Sequence, residues 1–233
     1  MSAAPKNRPY ILLNMSMSAD GKIASTNRRL NHFSSRRDHQ HLYELRATVD
    51  AVMNGARTVD TAPIKMDPGP PAFRRRRIRD GLAEYNLRVV VTGRGSLDPA
   101  AEIFRHDFSS IIVLTSRRCP PKNLARLKAV AAEVIVAGSE TVDFAAALKR
   151  LRAKWRIRRL LCEGGGALND ALFRADLIDE LHLTVCPLVI GGSHAPTISD
   201  GLGIEQLTDA RRFHLTRRKQ TGGELFLTYH RNR

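Results

Sequence analysis

Leu160-Leu161-Cys162-Glu163-Gly164-Gly165-Gly166-Ala167-Leu168-Asn169 is the stretch on which the fold turns. An apolar run stops at a carboxylate, three glycines follow, and a helix-compatible segment continues to about Arg174. That order reads as a buried strand, a tight turn and the start of a helix. Glycines at such a junction let backbone approach a ligand closely and leave the first helical N–H groups free for a phosphate. Glu163 falls at the carboxyl end of the strand, the edge where open α/β sheets assemble their sites. The same residues also fit a plain glycine turn that lets a helix pack on a sheet.

Outward from this stretch, apolar strand-like runs alternate with helix-like segments, which is the pattern of an α/β protein. A first strand begins at about Tyr10 and runs into Ser18-Ala19-Asp20-Gly21-Lys22, where Asp-Gly is a turn dipeptide in its own right. A helix is expected from Ser35 to Ala47, with Ser34 or Ser35 as its N-cap. Ala51-Val52-Met53 is a short strand ending at Gly55, and Arg88–Val91 and Ile111–Leu114 read as strands covered on both faces. Pro121–Val130 and Thr141–Lys154 read as helices around the strand Val134–Val136; Phe144, Leu148 and Leu151 share one face of the second helix. Glu180–Cys186, Arg211–Lys219 and Glu224–Tyr229 are strand candidates, and the Gly191-Gly192 and Gly222-Gly223 pairs between them read as hairpin turns. The expectation is a single domain over residues 1–233: a mostly parallel central sheet, helices on both faces, and a C-terminal antiparallel hairpin.

Residues 62–84 form a Pro/Arg-rich insertion containing Pro68-Gly69-Pro70-Pro71 and the run Arg74-Arg75-Arg76-Arg77. Proline and glycine argue for a loop from Pro63 to Arg79. Its arginines read either as a solvated, mobile charge cluster or as a flexible clamp for a phosphate.

At 233 residues the chain has room for a substantial core, and 42% hydrophobic content argues for a folded protein. Residues Met1–Arg8 lack the apolar run of a signal peptide, and nowhere do eighteen apolar residues follow one another. Three widely spaced cysteines suit reduced thiols, so a cytoplasmic location is expected. Thirty arginines and eight lysines against 23 acids leave a charge of +15, which invites a nucleic-acid reading. Only 6% of residues are aromatic and the cations are scattered, so no basic stripe with stacking platforms exists. No His-Glu-x-x-His, Cys-x-x-Cys or Gly-x-Ser-x-Gly occurs, so the motifs for zinc and for a serine nucleophile are absent. The glycine fingerprint of a Rossmann dehydrogenase does not follow the first strand.

Five segments in order carry a family resemblance: Ser18–Ala24, Leu45–Ala51, Gly55–Val59, Leu177–Leu181 and Pro187–Gly192, together with Glu163-Gly164-Gly165-Gly166. The chain resembles the pyrimidine reductases of riboflavin biosynthesis, from about Pro9 to about Tyr229. Those reductases are related to dihydrofolate reductase, so the resemblance implies a dihydrofolate-reductase-like fold. It also implies NADPH-dependent reduction of the ribosyl group of a phosphoribosylaminopyrimidine to a ribityl chain. The substrate is either 5-amino-6-(5-phosphoribosylamino)uracil or its 2,5-diamino analogue. Bacterial bifunctional enzymes join such a reductase to a zinc deaminase, whose His-x-Glu and Pro-Cys-x-x-Cys signature is missing here, so the chain is similar to the reductase half standing alone. A homodimer is expected from the resemblance and from the apolar C-terminal strands.

The resemblance carries Lys22, Ser34, Arg46 and Glu163 to the substrate. Glu163 suits the N–H groups of an aminopyrimidine edge, and Lys22 is the candidate for polarising or protonating the sugar. Arg46 suits phosphate and sugar hydroxyls, although at a helix C-terminus it also serves the helix dipole. No side chain supplies a hydride, so a cofactor is required. For NADPH, the resemblance carries Thr58, Gly164, Gly165, Gly166 and Ala167. Val91-Thr92-Gly93-Arg94 and Leu114-Thr115-Ser116-Arg117-Arg118 each end a strand with a hydroxyl and a guanidinium, which suits a 2′-phosphate. The family continues after its Thr-Val pair with Asp-Asp-Pro, where this chain has Asp60-Thr61-Ala62-Pro63. Asp60 is the candidate substitute, and a reductase of another heterocycle such as a pterin is the alternative that this departure leaves open.

Overall fold

A computed structural model describes residues 5–28 and 33–232; residues 1–4, 29–32 and 233 lie outside that description. The chain sorts into two compact units, neither continuous in sequence: residues 43–161 with the segment up to Tyr10, and Ile11–Leu42 with Cys162–Arg233.

The first unit carries β2 (Ala51–Gly55), β3 (Leu87–Val91), β4 (Ile111–Thr115), β5 (Glu133–Val136) and most of β6 (Arg159–Cys162), in the order β5-β4-β3-β2-β6. The pairs β2/β3, β3/β4 and β4/β5 are parallel. Met53, Val89, Val90, Ile112, Val113 and Leu114 are wholly buried, which is why these strands read as continuous apolar runs. The parallel strands end together at Gly55, Val91 and Thr115, so the segments that leave them lie along one edge. The helices are α2 (Ala56–Thr61), α3 (Pro71–Arg79), α4 (Pro121–Val130) and α5 (Phe144–Lys154). Asp143 caps α5 by accepting from Ala146 N at 3.0 Å, so this helix starts three residues later than expected.

Residues 62–84 depart from the loop expected there, because Pro71–Arg79 is helical. Pro71 occupies the first helical turn, where its fixed φ is already suitable and its missing N–H would have had no partner. Ala, Phe, Ile and arginine then carry the helix until Gly81, whose φ is +76°. The arginine run is therefore neither a mobile cluster nor a flexible clamp. Arg77 is wholly buried, and its guanidinium donates to the carbonyls of Arg46 (2.7 Å), Val49 (2.6 Å) and Ala83 (2.8 Å). Arg74 bonds Tyr85 and Glu84, and Arg76 pairs with Asp80. Arg88 is a second buried cation: it donates to the carbonyls of Ile103 (2.8 Å), His106 (2.7 Å) and Ser109, over the ring of Phe108. Burial pushes both guanidinium pKa values down to about 10.

In the second unit the order is β1 (Tyr10–Ser18), β7 (Glu180–Cys186), β9 (Glu224–Arg231), β8 (Phe213–Thr221). β1 and β7 are parallel, with Leu12 opposite Glu180 and Ser18 opposite Cys186. β9 is antiparallel to both β7 and β8, and the β8–β9 hairpin turns at Gly222-Gly223, whose φ values of +61° and +86° few side chains tolerate. Gly191-Gly192 does not make the hairpin expected of it. Ser193-His194-Ala195-Pro196 follows, with no alternating apolar pattern and with a proline, so no strand returns. Residues 187–201 instead form an irregular strap. Asp179 clasps the strands at their other end: its carboxylate accepts from Ile11 N (2.8 Å) and its carbonyl from Arg231 N (3.0 Å).

α1 (Arg36–Arg46) is capped by Ser35, whose hydroxyl accepts from Arg37 N at 3.1 Å. Ser35 is itself held by the buried carboxylate of Glu224, which accepts from its N–H (2.7 Å) and its hydroxyl (2.6 Å). α6 (Gly166–Arg174) completes the unit. All three cysteines are buried and unpaired, and burial pushes the Cys162 and Cys186 thiols up to about 12, far from a reactive range. Among the described residues no helix is long and apolar enough to cross a membrane.

Candidate functional site

Lys22 stands just beyond the carboxyl end of β1, on a turn made by its own neighbours. Gly21 N donates to Ser18 O (2.9 Å), Lys22 N to the Ser18 hydroxyl (2.9 Å), and Ser18 N to Lys22 O (2.8 Å). Asp20 ties this turn to the strap that leaves β7. Its Oδ1 accepts from the Ser18 hydroxyl (2.6 Å) and Ile190 N (3.1 Å), and its Oδ2 from Gly191 N (2.8 Å). The Ser18 hydroxyl first, and the two backbone donors with it, hold the Asp20 carboxyl down at about 2. Lys22 forms a backbone bridge with Thr197, Ile23 N donates to Pro196 O (2.9 Å), and the Lys22 amine reaches Ala195 O at 3.4 Å.

The strap continues onto the glycine turn. Asp200 N donates to Gly166 O (3.0 Å), and the Asn169 side chain donates to Ile198 O (2.8 Å). A Cβ on Gly166 would stand 2.6 Å from Thr197 O, and one on Gly164 (φ +84°) would stand 2.6 Å from the Met15 sulfur. At Gly164 and Gly166, then, the close approach that glycine permits is used by the protein's own chain. Gly165 is the N-cap of α6 with no side-chain cap, and Ala167 is exposed, so the first backbone N–H groups of that helix carry no side-chain partner. Those donors suit an anion. Lys22 and the Gly164–Gly166 turn are thus attached to one strap. Glu163 is half-buried and precedes this turn directly, and Ser34 is half-buried immediately before the cap of α1.

The remaining sequence-derived residues lie in the other unit. Arg46, at the end of α1, is buried and donates to Asp67 O at 2.7 Å, while its own carbonyl accepts from Arg77 and Asn86. Thr58, Arg94 and Arg117 follow β2, β3 and β4 along the common carboxyl edge. The hydroxyls at these strand ends are engaged internally: Thr92 accepts from Ser96 N (3.1 Å) and Ser116 donates to Gly93 O (2.7 Å). Their arginines differ. Arg94 is exposed, Arg118 pairs with Glu140 at 3.1 Å, and Arg117 lines a surface cavity of about 490 Å³ with Gly138, Ser139, Asp143 and Arg150. Asp60 accepts from Asp98 N at 3.0 Å through one carboxylate oxygen, with its pKa raised chiefly by desolvation. Among the described residues no group of three or more His, Cys, Asp or Glu side chains is arranged to hold a metal.

Sequence reasoning missed Asp20, Glu224 and the strap residues Thr197 and Asp200. Asp20 was hidden in a dipeptide that needs no further role to be a turn. The strap bonds through backbone atoms, which leave no mark on side-chain periodicity.

The profile of the family described as the RibD C-terminal domain matches residues 9–227. The chain is 34% identical over 222 residues to the 2,5-diamino-6-ribosylamino-4(3H)-pyrimidinone 5′-phosphate reductase of Methanothermobacter thermautotrophicus, covering 95% of this chain and 98% of that protein. It is 37% identical over 194 residues to the protein of the same name from Archaeoglobus fulgidus, covering 83% and 87%. Among solved structures, a pyrimidine reductase-like protein from Corynebacterium diphtheriae shares the fold with a TM-score of 0.81 at 23% identity, covering 97% of this chain and 93% of that one.

Proposed function

Because the chain belongs to the RibD C-terminal domain family, we propose that it reduces 2,5-diamino-6-ribosylamino-4(3H)-pyrimidinone 5′-phosphate to the ribityl compound in riboflavin biosynthesis. The observation that carries this reading is the 34% identity to the archaeal reductase of that name, end to end in both chains. It favours the diamino substrate over 5-amino-6-(5-phosphoribosylamino)uracil, so that reduction precedes deamination.

NADPH is the proposed cofactor, and it supplies the hydride to the anomeric carbon. The fit rests on the α6 N-terminus, whose first N–H groups have no side-chain cap. Gly165, Gly166 and Ala167 hold phosphate in this reading, and in the first unit Thr58, Arg94 and Arg117 are the proposed cofactor contacts, the two arginines suiting a 2′-phosphate. Asp60, whose Oδ1 accepts from Asp98 N, is the proposed cofactor contact that stands where the family has its Asp-Asp-Pro segment. The carboxylate of Glu163 accepts N–H groups of the pyrimidine. Ser34 is the proposed contact to the sugar phosphate; Arg46, the other residue the resemblance assigns to the substrate, is buried with its guanidinium on Asp67 O. Lys22 donates a proton to the ribose ring oxygen as the ring opens, which leaves the anomeric carbon electrophilic.

Purified protein offered both pyrimidines with NADPH or NADH, followed by loss of nicotinamide absorbance, tests the reading. Turnover of the diamino compound with at least a roughly tenfold preference for NADPH is expected. Faster turnover of the uracil compound reverses the proposed order, and no turnover of either removes the activity.

The protein is further proposed to act in the cytoplasm as a homodimer. The surface of the second unit supports pairing: Val189, Leu202, Ile204 and Leu207 are exposed in and after the strap, and Leu215 lies on the outermost strand, β8. Exposed apolar side chains of this size suit burial against a second copy of the chain. Light scattering is expected to give twice the chain mass of 26.0 kDa, and a monomer at micromolar concentration contradicts it.

A further inference from the structure

The Ser18–Lys22 turn and the strap meet at two places. On one side Lys22 and Ile23 pair with residues 195–197; on the other, Ala19 N donates to Leu188 O (2.8 Å) and Asp20 takes the N–H groups of Ile190 and Gly191. We propose that Asp20 is the positioning residue for Lys22, pinning its turn to the strap so that the turn carrying the amine is held from both sides. The proposal rests on the reading of Lys22 as proton donor and adds to it a residue that touches no substrate.

Three points carry it. First, the aspartate of an ordinary Asp-Gly turn serves its own turn, bonding backbone within two residues. Asp20 takes the Ser18 hydroxyl of its own turn but also reaches groups 170 and 171 positions away. Second, its three partners, Ser18 O–H, Ile190 N–H and Gly191 N–H, are all used as donors, and only a carboxylate presents acceptors on both oxygens. Asparagine must turn an NH₂ toward one of those donors in either orientation. Third, the strap that Asp20 grips also holds Gly166 and Asn169, so the pin links Lys22 to the start of α6 through hydrogen bonds within one unit. With Asp20 gone, the Ala19–Leu188 bond is what remains on that side among the described residues.

A double-mutant cycle in the full-length protein tests this: Asp20→Ala, Lys22→Met and the double variant, with Asp20→Asn as the conservative companion. kcat and the KM for each substrate are measured for all four, and thermal unfolding confirms that each is folded. Asp20→Ala is expected to lower kcat by about tenfold to a hundredfold, the effect of misplacing a reacting group by about 1 Å. Its KM for NADPH should stay within about twofold. Asp20→Asn should fall between wild type and Asp20→Ala, because it keeps one acceptor oxygen. The double variant should be no slower than Lys22→Met alone, since a pin has nothing to position once the amine is missing. If the two losses multiply in the double variant, Asp20 acts independently of Lys22 and the proposal fails while the reading of Lys22 stands. An unchanged kcat in Asp20→Ala likewise overturns the pin and leaves Lys22 in place. If Lys22→Met itself turns over at the wild-type rate, the reading of Lys22 falls and the pin falls with it.

Discussion

Replacing Arg77 with alanine is expected to lower the unfolding free energy by about 3–5 kcal/mol, a large share of the stability of an ordinary domain. Arg77 lies wholly inside the first unit and bonds three carbonyls from two segments. The carbonyls of Arg46 and Val49 keep the Asn86 amide at 2.9 and 2.8 Å, but that of Ala83 loses its Arg77 bond. A cavity the size of the side chain opens at the same time. Arg77→Met separates these contributions, because it retains most of the apolar stem and removes the cation. It should recover roughly 1–2 kcal/mol of the loss through refilled volume. Urea unfolding of both variants, with unchanged m-values, reads the difference. Wild-type stability in Arg77→Ala would mean that the buried guanidinium contributes nothing net.

The second large effect concerns Glu163. Glu163→Gln keeps the shape of the side chain and exchanges one acceptor oxygen for a donor. If the carboxylate accepts N–H groups of the pyrimidine, substrate affinity should weaken by about 1–3 kcal/mol, the cost of leaving a buried polar group unmatched. That is roughly a fivefold to 150-fold rise in Kd, while NADPH affinity should hardly move. Calorimetric titration of both ligands distinguishes the outcomes. Loss of NADPH binding in a folded variant would assign Glu163 to the cofactor. Loss of folding would make it a structural carboxylate, and unaltered binding and rate would remove it from the site.

The sequence made some elements plain and hid others for identifiable reasons. β7 falls on Glu180–Cys186 and α4 on Pro121–Val130, the bounds read from the chain, because in each an apolar pattern and a turn signal agree. α3 was hidden because Pro68–Pro71 argues for a loop, and the same Pro71 is equally at home in a first helical turn. Arg77 and Arg88 were hidden because charge normally marks solvent, and nothing nearby in sequence announces that distant carbonyls will satisfy them. The order β7-β9-β8 was also out of reach: Gly191-Gly192 and Gly222-Gly223 are alike as dipeptides, and only the residues after them decide that one turns a hairpin and the other opens a strap. Of the proposed site, Lys22, Glu163 and the glycines stood out in the sequence. The carboxylate that grips the turn of Lys22 did not, because its partners lie in a segment without a pattern.

The parallel pairing of β1 with β7 also has a consequence in time. Ile11 and its clasp Asp179 are 168 positions apart in a chain of 233, so the ribosome makes most of the chain before β1 can pair with β7. Closing so long a loop carries an entropy cost that must be met before any ladder hydrogen bond forms, which makes such pairings slow. Residues 43–161 face no such delay, since β2 to β5 pair with strands close in sequence. Their unit is expected to gain structure while Ile11, Leu12 and Leu13, all buried in the finished protein, are still uncovered. The nascent chain therefore carries an apolar strand with open edges through most of its synthesis. Expression yield should depend on whatever shields that strand until Cys186 emerges, so a chaperone that binds short apolar segments is expected to crosslink to residues 10–18 in stalled chains shorter than about 180 residues.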